Sequence, residues 1–266
     1  MRRFIDTTGR RCTRTQRPAI SADTGIAAAN MPATNDGFYY NILGSETKLI
    51  GGSTAASMAC VFRLNALPAS NQGLVGIGRT SSAIALTRGY MLYNQNTNNT
   101  RGALKLSSSG TTYTPANFFV AGDVGKIHRL VITYDGTTYR LYKNGAQVGT
   151  GTAAAGTLDK AITSDKLFVG YSFPTASTNA YNVDIIGIAF DNTVISGANV
   201  ATWDAAVQTD PDGMVELVSG CRWWKAASWD GSTGTSVWDD ETATYSLSTL
   251  STSENKISIT SPVWGS

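Results

Sequence analysis

The stretch Ile127–Val148 reads IHRLVITYDGTTYRLYKNGAQV, and it decides the fold class of the chain. Its first run, IHRLVITY, is rich in β-branched and aromatic residues, and a second run, TYRLYK, follows Asp135-Gly136. Asn144-Gly145 then precedes a third short run, AQVG. Asx-Gly pairs favour tight hairpin turns because those turns need positive φ at their central positions. The stretch therefore predicts two successive hairpins made of three neighbouring antiparallel strands.

Short β-type runs continue on both sides of this stretch, separated by Gly, Asn, Ser and Pro, as in an all-β sandwich or barrel. Further strands are predicted at Met58–Leu64, Leu74–Gly78, Tyr90–Tyr93, Ala103–Ser107, Lys166–Val169 and Val183–Phe190. One segment differs, because Ser196–Val207 places Val200, Trp203 and Val207 at helical spacing behind a serine that can cap a helix. We predict one short helix there.

Length and composition exclude several classes of protein. The chain has 266 residues, enough for one large β-domain, and only 15% of them are charged, below the roughly 25% of an average soluble domain. No run approaches the roughly 18 apolar residues of a membrane span. The start, MRRFIDTTGRRCTRTQ, has no apolar segment, so we expect no secretory signal. Cys12, Cys60 and Cys221 form no C-x-x-C pair, and we expect neither a disulfide framework nor structural zinc.

The charge is distributed unevenly along the chain. Residues 1–17 contain six arginines and one acid, a net charge of +5, and since the whole chain carries +2, the remainder carries −3. The arginines are Arg2, Arg3, Arg10, Arg11, Arg14 and Arg17. Such a basic arm can dock on an acidic protein surface or bind nucleic acid. Because it has neither interleaved aromatic residues, apart from Phe4, nor helical charge spacing, we expect docking rather than nucleic-acid binding.

The segment GDVGKIHRLVITYDGTTYRLYKNGAQVGTGT resembles the hallmark strand pair of the concanavalin A-like lectin/glucanase superfamily, in its LamG-like branch. Members of that branch read approximately G-x-W-H-x-V-x-V-T-Y-D-G, followed by L-Y-V-N-G. Ile127 stands where the family has Trp, and the matching residues are His128, Tyr134, Asp135, Gly136, Tyr142, Asn144 and Gly145. The flanking stretches SMACVFRLNALPASNQGLVGIG and KLFVGYSF agree with this family. The resemblance implies an all-β jelly-roll sandwich of two antiparallel sheets.

The resemblance covers about residues 45–208 and divides the chain into three parts. Residues 1–44 are the basic arm and its lead-in, residues 45–208 the LamG-like sandwich, and residues 209–266 a Trp-rich C-terminal extension. All six tryptophans lie between positions 203 and 264. The run CRWWKAASWDGSTGTSVWDDETATYSLS resembles the opening segment of such domains. The extension can complete the same sandwich in permuted order, pack on a neighbouring subunit, or be an unrelated addition.

The residues of known catalytic sites on this fold are largely missing. Glycosidases of this fold resemble one another in an E-x-D-x-E strand, and none of the four glutamates of this chain fits it. Ile185-Ile186-Gly187 stands where the family has Ile-Asp-Glu. The sole histidine, His128, accompanies no G-x-S-x-G nucleophile motif. We therefore expect a non-enzymatic protein, with Asp239 and Glu241 as the acid pair of an alternative glycoside hydrolase.

Carbohydrate and calcium are the ligands that the resemblance implies. Trp223, Trp224, Trp229 and Trp238, with Asp239, are the candidates for stacking on a sugar; alternatively the indoles fill the core or an oligomer interface. Lectins of this fold often bind calcium through Asp and Asn oxygens. The candidate oxygens are in Asn94–Asn99, Asn182/Asp184 and Asp191/Asn192. Their spacing matches no calcium loop, so we expect turn residues and no metal or cofactor, with calcium as the alternative.

Three function classes follow from these observations. The first is a structural protein of a bacteriophage virion, namely a capsid decoration, minor capsid, head-fibre or tail protein. It would be assembled in the host cytoplasm and exposed on the virion exterior, with the arm docked on a capsid or tail lattice and the extension holding a homo-oligomer together. The second is a carbohydrate-binding adhesin or module for host surface glycans, and the third is the glycoside hydrolase.

Overall fold

The computed structural model describes residues 25–31, 37–43, 55–67, 72–80, 86–95, 99–105, 110–113, 119–152, 158–159, 162–171, 182–211, 221–229, 231, 237–240, 246–249 and 255–266. These residues form two antiparallel sheets of eight strands each, and one α-helix. The all-β jelly-roll sandwich predicted from the sequence is confirmed. Within the described ranges, the structure has no helix of the length and hydropathy that a membrane crossing needs.

The first sheet is built around the predicted double hairpin. Its strands are β1 (Ile26–Asn30), β3 (Ala56–Leu64), β8 (Ile127–Tyr134), β9 (Thr138–Lys143), β10 (Ala146–Thr152), β12 (Val183–Asp191), β13 (Arg222–Lys225) and β16 (Asn255–Ile259). They follow the order β10-β9-β8-β3-β12-β1-β16, and β13 also pairs with β12. All residues of β3 except Arg63, and all residues of β8 and β12, are buried, which makes these three strands the centre of the sheet.

The second sheet lies on the other side of the core. Its strands are β2 (Phe38–Asn41), β4 (Gln72–Thr80), β5 (Leu86–Gln95), β6 (Asn99–Lys105), β7 (Gly110–Tyr113), β11 (Lys166–Val169), β14 (Val237–Asp239) and β15 (Ser246–Thr249). They follow the order β14-β15-β2-β11-β4-β5-β6-β7. Strands from before residue 45 and after residue 208 therefore complete both sheets of this chain, as in the permuted-order alternative for the extension.

Both predicted hairpin turns are present, and their backbone conformations explain the residue types. Asn144 and Gly145 both have positive φ, 52° and 80°, which is the conformation that a two-residue hairpin loop requires. Gly136 also has positive φ, 97°. Asp135 closes the first turn, because its Oδ1 accepts hydrogen bonds from the backbone N–H groups of Thr137 and Thr138, at 3.1 and 2.8 Å.

The predicted helix, α1, spans Gly197–Thr209 and covers the outer face of the first sheet. Ser196 is its N-cap, and the serine hydroxyl accepts a hydrogen bond from the N–H of Asn199 at 3.3 Å. Val200, Trp203 and Val207 are buried against that face, as their helical spacing predicted. Because α1 covers the outer face of one sheet, the outer face of the second sheet is the place to look for a binding site.

Candidate functional site

The tryptophans predicted to stack on a sugar lie in two different environments. Trp224, Trp229 and Trp238 are at most 1% exposed and pack between the two sheets. The rings of Trp229 and Trp238 both meet the ring of Phe38 edge to face, at centroid distances of 5.0 Å. No sugar can reach rings buried in this way, so for these three indoles the stacking prediction is corrected and the core alternative describes them. Trp223 is only half-buried, on the first sheet.

The structure describes only a few of the other residues that were predicted to form a site. Asp239 lies on β14 next to Trp238, but its side chain is outside the described residues, as is Glu241. The arginines of the basic arm are outside them too, namely Arg2, Arg3, Arg10, Arg11, Arg14 and Arg17. The docking role of these arginines and the hydrolytic role of Asp239 and Glu241 therefore stay predictions.

His128 is fully buried and has structural contacts on both ring nitrogens. Nε2 lies 3.1 Å from the carbonyl oxygen of Asp123, and Nδ1 lies 3.4 Å from the side-chain amide nitrogen of Asn144. Gly265 packs so closely on the ring that a Cβ there would lie 2.5 Å from Nδ1. Burial lowers the pKa of His128, and the positive charge of Lys143 lowers it further. The arrangement gives the imidazole a packing role.

Protein donors already occupy the carboxylates that were weighed as calcium ligands. Asp184 is fully buried, and its oxygens accept hydrogen bonds at 2.5 to 2.8 Å. Its partners are Asn30, Arg63 and Asn65. Asp191 Oδ1 accepts hydrogen bonds from the backbone N–H and the hydroxyl of Thr193, both at 2.8 Å. Among the described residues, no three His, Cys, Asp or Glu side chains come together as a metal site would need.

An aromatic cluster that was not predicted from the sequence lies on the outer face of the second sheet. Its buried members are Met91, Tyr93, Phe168 and Tyr171, and Tyr39 and Leu86 pack against them. Strand alternation explains this placement, because Phe38 and Tyr40 of β2 point into the core and Tyr39 between them points outward.

The pairing register holds this cluster together. Tyr39 pairs with Phe168 on β11, and Phe168 pairs with Gly76 on β4. Gly76 has no side chain, and its neighbours occupy that space: a Cβ there would lie 2.5 Å from the Phe168 ring and 2.5 Å from the Cβ of Met91. Any larger residue at position 76 would have to displace the Phe168 ring and the strand that carries Met91.

Four neighbouring side chains on this face reach solvent, and we call them the outer patch: Tyr39, Asn41, Lys166 and Ser248. Tyr39 and Lys166 are half-buried, whereas Asn41 and Ser248 are exposed. The register pairs Asn41 with Lys166 and Tyr39 with Ser248, so the four residues occupy three adjacent strands. The Lys166 ammonium lies 3.7 Å from the centroid of the Tyr39 ring, a cation–π contact. Burial lowers the pKa of Lys166.

The outer patch combines the groups that hold a sugar. A rigid aromatic ring offers a flat apolar surface, and the amide, hydroxyl and ammonium groups beside it can form hydrogen bonds with a polar ligand. The tryptophans were the residues predicted to form such a platform, and Tyr39 was not among them. Alternation within β2 (FYYN) and β11 (KLFV) could have indicated which residues of each strand share a face. Neither segment alone, however, indicates that the two strands pair with each other.

Comparison with known proteins agrees with this architecture. Residues 36–201 match the family model Laminin_G_3, described as concanavalin A-like lectin/glucanases superfamily. The chain belongs to this superfamily. The residues that match the model of this lectin-like family begin just before β2 and end within α1. The resemblance of the double hairpin is thereby confirmed. No curated protein sequence matches the chain.

Several solved structures are similar to this concanavalin A-like chain at low sequence identity. A protein of Bacteroides ovatus named for carbohydrate binding has a TM-score of 0.63 and 11% identity, over 90% of this chain and 62% of that one. The chain thus spans about 62% of that protein. NanB sialidase of Streptococcus pneumoniae has a TM-score of 0.50 and 16% identity, over 67% of this chain and 28% of that one. CBM40 of the Ruminococcus gnavus IT-sialidase has a TM-score of 0.49 and 16% identity, over 66% of this chain and 95% of that one.

Proposed function

We propose that this protein is a non-enzymatic, lectin-like module that binds carbohydrate through the outer patch. The observation that carries the proposal is the Tyr39 ring, held half-exposed on the outer face of the second sheet. Phe168 beneath it is fully buried, and Lys166 lies against its face. The ring is therefore supported from the sheet side, while part of its surface still reaches solvent. The lectin-like fold and the solved structure named for carbohydrate binding support the same function.

The change Tyr39→Ala tests this proposal. It removes the ring and leaves the strand pairing intact, so we expect at least about a tenfold loss of glycan affinity, the size typical of a central aromatic anchor. Glycan arrays with and without calcium would identify the ligand, and titration calorimetry would measure its affinity. Trp223→Ala is the matched control, because it removes a half-buried ring from the other sheet. Binding of no glycan, or equal affinity of Tyr39→Ala and the unchanged chain, would contradict the proposal.

A place on the exterior of a bacteriophage particle is a second proposal, independent of the outer patch. It is supported by the charge of +5 in residues 1–17 against −3 in the remainder, and by the low charged fraction. Cys60 is a buried free thiol, consistent with assembly in a reducing cytoplasm. Mass spectrometry of purified virions should find the chain, and the isolated protein should form a homo-oligomer. A monomer absent from purified particles would count against this role.

A further inference from the structure

The last described residues of the chain lie against the start of β8. Residues 263–266, which we call the docked segment, run parallel to this strand, with Trp264 paired to Ile127. The Ile127 N–H donates a hydrogen bond to the carbonyl oxygen of Val263 at 2.7 Å, and the Gly265 N–H donates to the carbonyl oxygen of Ile127 at 2.8 Å. The pairing of β9 with β8 begins only further along, so the docked segment covers a part of β8 that would otherwise be a sheet edge.

The side chains around this part of β8 fit particular residues of the docked segment. The acceptor edge, as we call it, consists of Ile127, His128, Arg129 and Asn144. The Arg129 guanidinium lies 5.1 Å from the ring centroid of Trp264, a cation–π contact, and the half-buried indole packs against the cluster that contains the buried face of α1. Gly265 lies against His128, where an added Cβ would be 2.5 Å from Nδ1. The acceptor edge therefore fits a tryptophan followed by a glycine.

An exposed connection joins the docked segment to the rest of the chain. Residues 260–263 are all exposed, and Pro262 is among them. The far end of the docked segment is held by Asn144, whose side-chain amide donates to the carbonyl oxygen of Ser266 at 2.9 Å. The side chains of the segment lie outside the core between the sheets, so it can leave β8 while the sheets remain packed. Its departure removes the partners of the Ile127 N–H and carbonyl groups, which favours replacement by an equivalent segment.

We infer that the acceptor edge is a binding site for an extended Trp-Gly peptide segment, and that a second copy of this chain supplies that segment by exchange. Trp264-Gly265 is the only Trp-Gly pair among the 266 residues, so each further copy offers one segment that fits. The exchanged segment makes the same backbone hydrogen bonds and the same cation–π contact as the chain's own segment. Val120 and Val124, in the turn that leads into β8, are 54% and 39% exposed, and they offer apolar surface for contact between the copies.

The change Gly265→Ala in the full chain tests the site. The added Cβ meets His128, so the chain's own segment should leave the acceptor edge, whose residues are unchanged. A fluorescein-labelled peptide of residues 260–266, TSPVWGS, should then bind at least about tenfold more tightly than to the unchanged chain, where the attached segment competes at a high effective concentration. The peptide TSPVWAS should bind at least about tenfold more weakly than TSPVWGS, because its alanine meets the imidazole. Fluorescence polarisation measures both affinities.

Trp264→Ala is a second variant for the same measurement, because it loosens the attached segment by removing the cation–π contact. Circular dichroism and thermal unfolding show which of the two variants keeps the fold, and the peptides are tested on that chain. Binding of TSPVWGS to neither folded variant overturns the site. Equal binding of TSPVWGS and TSPVWAS overturns it as well.

Sedimentation velocity tests the second copy as the partner. The unchanged chain should form dimers whose fraction rises between about 10 µM and 1 mM, the range that brackets the effective concentration set by a short linker. Gly265→Ala should stay monomeric, because its segment fits no copy. Gly122→Ala is the matched control, since a Cβ there meets no atom within 4 Å, and it should dimerise like the unchanged chain. Dimers that persist in Gly265→Ala, or an unchanged chain that is monomeric throughout, overturn the second copy as the partner.

Discussion

His128, near the start of the central strand β8, shows how a single residue can make the stability of the first sheet depend on pH. It is the one histidine of the chain, and its imidazole is enclosed by Asp123, Asn144 and Gly265. Its pKa is lowered chiefly by burial, so the folded protein resists protonating it. The unfolded chain does not resist, because there the imidazole is in water with a pKa near 6.5.

The first prediction is a loss of stability in mild acid. Below a pH of about 6.5 the unfolded chain binds a proton that the folded chain does not, so the free energy of unfolding falls as the pH falls. The slope for one proton is at most about 1.4 kcal/mol per pH unit. Urea denaturation between pH 8 and 5 measures it. His128→Gln lacks the titrating group, and it should show a smaller slope than the unchanged chain; equal slopes would contradict this account.

Asp135 supplies a second prediction at the residue scale. Its pKa is about 2: burial raises it, but the hydrogen bonds from Arg140, Thr138 and Thr137 outweigh that effect. Stability from this carboxylate is therefore present above its unfolded pKa of about 3.9 and is lost as the pH falls toward 2. Asp135→Ala should destabilise the protein by about 1–2 kcal/mol at pH 7, through the lost turn contacts. Thermal unfolding at pH 7 and pH 2.5 checks this, and a difference between the two proteins that does not shrink in acid would refute it.

At the scale of elements, one buried ion pair joins α1 to β8. Arg129 Nε donates to Asp204 Oδ1 at 2.6 Å, and Nη2 lies 3.2 Å from Oδ2. Gln208, one turn along the helix, donates to the same Oδ2 at 2.7 Å. The guanidinium also lies 5.1 Å from the ring centroid of Trp264. The pair therefore fixes the helix and the segment around Trp264 to the same strand.

Removing one partner of this pair should be costly. Asp204→Ala leaves the Arg129 charge buried without its carboxylate, so we expect a loss of about 3–5 kcal/mol in the free energy of unfolding. Thr209→Ala, on an exposed position of the same helix, is the control and should change stability by no more than about 0.5 kcal/mol. The double change Arg129→Met with Asp204→Leu should recover much of the loss, because it removes both charges. An Asp204→Ala protein as stable as the control would show that the pair does not hold the helix.

At the scale of the whole molecule, the sandwich depends on both ends of the described chain. β13 pairs with β12, β16 pairs with β1, and β14 and β15 extend the second sheet beyond β2. Three fully or almost fully buried indoles come from this region. The four described strands after residue 209 are thus part of the sandwich, although the resemblance placed the family pattern only at about residues 45–208.

Truncation tests this dependence. A chain that ends at Asp210 loses four strands and the indoles of Trp224, Trp229 and Trp238, so it should not fold as a soluble monomer. Circular dichroism and size-exclusion chromatography measure the outcome. Supplying residues 211–266 as a separate chain should restore solubility if the strands pair as described. A soluble, cooperatively unfolding truncated protein would mean that the core is complete without them.

Local signals explain which features could be predicted from the sequence. The double hairpin is encoded by adjacent runs and Asx-Gly turns, and the helix by Ser196 and its apolar spacing, so both were confirmed. The outer patch combines Tyr39, Lys166 and Ser248 through strand register, which depends on the folded sheet. Adjacent tryptophans on β13 must point to opposite faces of the sheet, but the sequence does not say which one is buried.

The complete burial of β8 has a consequence for the time scale of its motions. Its neighbours β3 and β9 bond to both of its edges, while the core and α1 cover its two faces. A backbone N–H in this strand can meet solvent only when most of the sandwich opens. In deuterated buffer, the amide protons of Leu130, Val131 and Ile132 should therefore be among the last to exchange, at rates that report global opening.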